Sequence, residues 1–111
     1  MAAVPDVDLE RIKRFCVEES PAKVADQVRV VYKVRGKSVT ISESRAPWDG
    51  RGTEWTDQPL AQLRYSPQST KWSLHWADRN SRWHPYDFIE PGAVASLLAE
   101  IKRDPTCIFW G

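Results

Sequence analysis

Hydrophobic positions along this chain follow a helical spacing at both ends and strict alternation between them, and that order predicts the architecture. Leu9, Ile12, Phe15 and Cys16 recur at helical intervals behind Asp6, which is placed to cap a first helix, with Asp8 and Glu10 near its positive end. Pro21 bars continuation, and Glu18 and Glu19 suit the negative end poorly, so this helix is expected to finish around Val17 or to turn that pair fully into water. Val94, Leu97, Leu98 and Ile101 predict a second helix that begins around Pro91. Lys102 and Arg103 lie at its negative end, and Asp104-Pro105 stops it. Ile108, Phe109 and Trp110 form an apolar tail expected to dock rather than hang loose.

Between the helices the period falls to two. Residues 28–45 are rich in β-branched side chains and are broken by Gly36-Lys37, a two-residue hairpin turn. Register follows: Val34 faces Val39, Tyr32 faces Ile41, Val30 faces Glu43 and Val28 faces Arg45 on the apolar side. Arg29, Lys33 and Arg35 then collect with Ser38, Thr40, Ser42 and Ser44 on a side expected to be solvated. Residues 46–59 lose periodicity and read as a long connection. A third strand over 60–66 turns through 67–70 into a fourth, with Tyr65 against Trp72, Leu63 against Leu74 and Ala61 against Trp76. Residues 71–86 form the last hairpin. Pairing about a turn at 78–81 sets Trp76 opposite Trp83 on the core face and His75 opposite His84 on the other, beside Gln62, Arg64, Ser73 and Tyr86. The predicted class is α+β: an antiparallel five-stranded meander sheet with the N-terminal and C-terminal helices packed on one face. No repeat or low-complexity tract divides the chain, so 1–111 is taken as a single domain.

Composition adjusts this picture in three places. Sixteen Lys and Arg against fifteen Asp and Glu leave a net charge of +1, so binding to nucleic acid or an acidic membrane requires a local basic patch. No run approaches the ~20 apolar residues that span a bilayer, and the first ten residues lack the basic start and apolar run of a secretory signal. A soluble, cytoplasmic protein is expected, with Cys16 and Cys107 reduced, buried and inert. Six tryptophans in 111 residues is a heavy load, and rings of that size fill cores or anchor interfaces.

The strings V-T-I-S-E-S-R-A-P-W, P-L-A-Q-L-R-Y, K-W-S-L-H-W-A-D, R-W-H-P-Y and D-P-T-C-I-F-W, in that order, resemble the small bacterial proteins grouped as domain-of-unknown-function family 3024. The resemblance covers almost the whole chain. It implies a short, free-standing bacterial protein, assigns no reaction, and carries over no site residue.

Candidate chemistry is sparse. Glu43 and Arg45 share parity with Val39 and Ile41, which drives a carboxylate and a guanidinium toward the covered side. A bidentate pair capped by Trp48 satisfies both, and the functional alternative is an anion pocket or a catalytic Glu under the loop from Trp48 to Trp55. His75 and His84, as cross-strand neighbours, are two ligands of a possible divalent site, but zinc usually needs three or four, and neither cysteine has a recognisable ligand spacing. No metal and no cofactor is expected. Arg29, Lys33, Arg35, Arg64, Lys71 and Arg82 are candidates for a basic stripe, a feature single-stranded nucleic acid uses together with stacking rings, although in this register most rings fall on the other face. There is no G-x-S-x-G elbow, Gly-rich phosphate loop or H-E-x-x-H helix. The leading expectation is a non-enzymatic interaction or accessory module contacting a protein partner through the Trp48 to Trp55 loop and its arginines. A nucleic-acid module on the basic face comes second, and a metal-dependent hydrolase using His75 and His84 third.

Overall fold

Five strands pair in sequence order as one antiparallel sheet: β1 (Val28–Arg35), β2 (Ser38–Arg45), β3 (Thr56–Ser66), β4 (Lys71–Ala77) and β5 (Trp83–Pro85). Helices α1 (Asp6–Glu19) and α2 (Val94–Arg103) pack on one face and on each other. The protein is therefore α+β with the open antiparallel meander that the alternation predicts. The structure, a computed structural model, describes residues 4–24, 26–47 and 54–110.

Period two is realised in the burial. Val30, Val39, Ile41, Ala61, Leu63, Trp72 and Leu74 point to the helices, where Ile12, Phe15, Leu97 and Ile101 meet them. Register in the first hairpin and between β3 and β4 is as predicted: Val34 pairs with Val39, Tyr32 with Ile41, Leu63 with Leu74 and Tyr65 with Trp72. Gly36, at φ +61°, supplies the left-handed residue that the two-residue turn demands. Between β2 and β3 the register slips by one at Ile41/Ser42. Leu60 is the extra residue, and it is buried together with Ala61.

Both helix starts differ from expectation. Asp6 is the first helical residue rather than the cap; Pro5 holds the cap position and offers no side-chain bond. Asp6 and Asp8 still oppose the positive end. The helix runs on to Glu19 because Ser20 closes it, donating both its N–H (3.1 Å) and its hydroxyl (2.7 Å) to the Cys16 carbonyl before Pro21. Helix α2 begins at Val94 instead of near Pro91, and Asp104 ends it in the left-handed conformation at φ 43°. Its carboxylate accepts the N–H groups of Phe109 and Trp110, and Trp110 Nε1 donates to the Ile101 carbonyl, which docks the apolar tail. Both cysteines are free. Cys16 is buried, and burial pushes its thiol up to about 12, whereas Cys107 is exposed, contrary to expectation. Among the described residues no helix is long and apolar enough to cross a membrane.

Candidate functional site

The last hairpin departs from prediction, and that departure builds the site. Ala77 pairs with Trp83, Trp76 with His84 and His75 with Pro85, one residue out of the expected register. A slip of one reverses every side chain on β5. Trp83 leaves the core face for the open face, and His84 leaves the open face to stack on Trp76, ring centroids 4.8 Å apart. The two histidines therefore point to opposite sides of the sheet and share no ligand. Among the described residues, no group of three His, Cys, Asp or Glu is placed to hold a metal ion. Tyr86, expected beside them, is instead in the core, where its hydroxyl donates to Glu100 Oε2 at 2.8 Å and burial raises its pKa.

The cause lies in the turn. Asp78 N–H donates to the Arg82 carbonyl at 2.9 Å and Ser81 N–H to the Asp78 carbonyl, leaving three residues in the loop instead of two. Ser81 takes the left-handed position at φ 62° that glycine usually fills in such loops. Asp78 holds it there, accepting the N–H groups of Asn80 and Arg82 on one oxygen and His84 Nε2 at 2.7 Å on the other. The His84 bond, followed by the Arg82 N–H, holds the Asp78 carboxyl down at about 2. Since the unfolded chain takes up this proton first on acidification, the stabilisation is present above about pH 4 and is lost as the pH falls toward 2. In melting temperature against pH, Asp78→Asn is expected to lie below the native curve at neutral pH and to converge with it toward pH 2. Parallel curves would remove this role.

On the open face, cross-strand rows run in order. Arg29, Ser44 and Asp57 share one row; Lys33, Thr40, Gln62 and His75 another; Arg35, Ser38, Arg64 and Ser73 a third. A groove of about 600 Å³ crosses them, with Lys33, Arg35, Thr40 and Gln62 in its lining, Trp83 at one side and Asp57 as its carboxylate. Arg29 lies over the Trp55 ring, 4.6 Å from the centroid, so this cation–π contact seats Trp55 against the start of β1. Arg64 Nε donates to Gln62 Oε1 (2.7 Å) and Gln62 Nε2 to Thr40 Oγ1 (3.1 Å), a chain that aims the guanidinium before any ligand arrives. Ser42 and Ser44 are buried, correcting the expectation of a fully solvated side. His75 is also buried, with Nε2 2.9 Å from Ser73 Oγ and Nδ1 without a partner among the described residues. Burial, helped by the Arg64 charge, lowers its pKa and keeps the ring neutral at pH 7.

Glu43 and Arg45 do pair, Nε and Nη2 of the guanidinium both reaching Oε1 at 2.6 Å. The arginine side chain is 64% exposed, so the pair sits in water at the sheet end and is worth at most about 1 kcal/mol. Trp48, expected as its lid, lies outside the described residues, as does most of the loop to Trp55. Of the predicted site residues, Arg64, His75 and Trp55 share the open face, and Glu43, Arg45 and His84 do not. Sequence reading missed Trp83 as a member. The cue was Asp78 at the first position of the turn, obscured by serine where glycine normally marks a three-residue loop.

The open sheet face carries a local excess of cations although the total nearly cancels. Helix α1 is mixed, with Asp6, Asp8, Glu10, Glu18 and Glu19 against Arg11, Lys13 and Arg14, while Arg29, Lys33, Arg35 and Arg64 share the sheet face the helices leave uncovered, with Asp57 among them. Fold and surface together define an α+β protein with one helix-covered sheet face and one open, cation-bearing face bordered by indoles. The chain belongs to the family described as Domain of unknown function (DUF3024), whose model matches residues 1–111. Among curated proteins and solved structures none matches it.

Proposed function

We propose that the protein is a binding module that takes single-stranded nucleic acid across its open sheet face. One observation carries the reading: the slip in the last hairpin puts Trp83 on the same face as Lys33, Arg35 and Arg64, with Trp55 held by Arg29 at the far end. Cations placed to meet phosphates and rings placed to stack on bases are the two components of sequence-tolerant single-strand recognition. The reading moves the contact surface from the Trp48 to Trp55 loop to the sheet, and leaves Trp55 as the residue common to both. The cytoplasm remains the expected compartment.

Fluorescence anisotropy with labelled single strands of about twelve nucleotides tests it. Saturable binding is expected, tighter than to a duplex of the same length. With three or four phosphate contacts, log K is expected to fall against log salt with a slope of about −2 to −3. Equal affinity for duplex, or no saturation at low salt, would overturn the reading.

A further inference from the structure

The outer edge of β1 is only partly closed. Val30 N–H donates to Ser20 Oγ at 2.9 Å, so the peptide groups of Val30 face away from β2. Alternate residues of a strand aim their N–H and C=O groups the same way, which turns those of Tyr32 and Val34 outward as well. Pairing of Arg35 with Ser38 across the two-residue turn fits this parity. Among the described residues no backbone group meets Tyr32 or Val34 on that side. Ser20 therefore plugs one position and leaves the next two outward residues available for pairing.

Alongside runs an apolar groove of about 450 Å³ between α1 and β1, lined by Lys13, Cys16, Val17, Val30, Val31 and Tyr32. Val17 and Val34 are 68% and 43% exposed beside it. No carboxylate lines the groove. Lys13 stands on the helix side, and Lys33 and Arg35 project from the same strand toward the open face. Two copies of β1 laid edge to edge would bring these cations together, an arrangement that like charges oppose.

We propose that the β1 edge over Tyr32–Val34 receives, as a sixth strand, an extended segment of a partner protein in which apolar and acidic residues alternate. Side chains alternate faces along any strand. The partner's apolar residues then meet Val17, Tyr32 and Val34 while its carboxylates meet Lys33 and Arg35, and main-chain bonds to Tyr32 and Val34 set the register. The proposal rests on the strand edge and not on nucleic-acid binding, although the two share Lys33 and Arg35.

The probe is a terminally blocked peptide of alternating Val and Glu, titrated into the full chain and followed by NMR and by amide hydrogen exchange. The amides of Tyr32 and Val34 are expected to gain protection on binding. Val34→Pro removes one outward N–H that takes no part in the β1–β2 ladder, so it is expected to weaken the peptide at least tenfold while the melting temperature holds. Lys33→Glu with Arg35→Glu is expected to reverse the preference toward a Val/Lys peptide, and Trp83→Ala to change nothing. Equal binding of a peptide with the same residues in blocks would overturn the proposal. So would undiminished binding to a folded Val34→Pro variant, or protection of Tyr32 and Val34 that grows with protein concentration alone, which would identify a second copy as the occupant. Exchange on the native protein decides the matter if Val34→Pro fails to fold.

Discussion

Trp72→Ala is expected to lower the stability of this protein by about 3–5 kcal/mol, the range for removing a large ring from a packed core. Trp72 is the largest of the fully buried side chains, 1% exposed, and it joins more of the fold than its place in β4 suggests. Its ring packs on Tyr65 of β3 with centroids 5.1 Å apart, and Nε1 reaches across to α1, donating to Asp8 Oδ2 at 2.8 Å. Its own N–H and C=O exchange bonds with Gly92, which fixes the approach to α2. One residue thus links both helices to the sheet. At about 4 °C per kcal/mol for a chain of this size, the melting temperature falls by about 12–20 °C. Two variants separate the contributions. Asp8→Ala leaves the indole N–H unpaired in a buried site and is expected to cost about 1–3 kcal/mol, and Trp72→Phe to fall between the two. Chemical denaturation measures all three. A loss under 1 kcal/mol for Trp72→Ala would mean that the core closes over the cavity and that the helices are held by other contacts.

Legibility in the sequence tracks how far each feature depends on local rules. Strand alternation, the glycine of the first turn and the helical spacing of Val94, Leu97, Leu98 and Ile101 are local, and the elements they predict are present. Helix starts are less legible. The sequence offers Asp6 as a cap, but the chain enters α1 through Pro5, and the closure at Glu19 depends on a serine that also serves β1. The candidate site is hard to read from sequence for a different reason. One residue more or less in a turn is a small local change, yet period two turns it into a reversal of an entire strand, and here it exchanges Trp83 for His84. Alternation gives no warning of this, because aromatic residues at adjacent positions satisfy either register. What decides it is the network around Asp78, which involves residues up to six positions apart and stabilises a serine in a conformation uncommon for it. Such networks are visible only when the turn is already folded.

Trp83→Ala is expected to weaken single-strand binding by about 1–3 kcal/mol, roughly 5- to 150-fold, the range for one base–aromatic stack. The more discriminating result is in the salt dependence. Trp83 carries no charge, so its removal lowers affinity at every salt concentration and leaves the slope of log K against log salt unchanged. Lys33→Gln and Arg35→Gln behave the other way, each flattening the slope by about 0.7 when it removes one phosphate contact. Trp76→Ala is the paired control. That ring lies on the helix-covered side against His84, so its loss is expected to reduce stability without touching affinity or slope in the folded fraction. The comparison works because Trp83 is only half-buried and begins the three-residue β5, where truncation removes little packing. If Trp83→Ala binds as the native protein does while the lysine and arginine variants weaken, the face is an electrostatic surface without base stacking. Single-strand recognition would then lose the observation on which it rests.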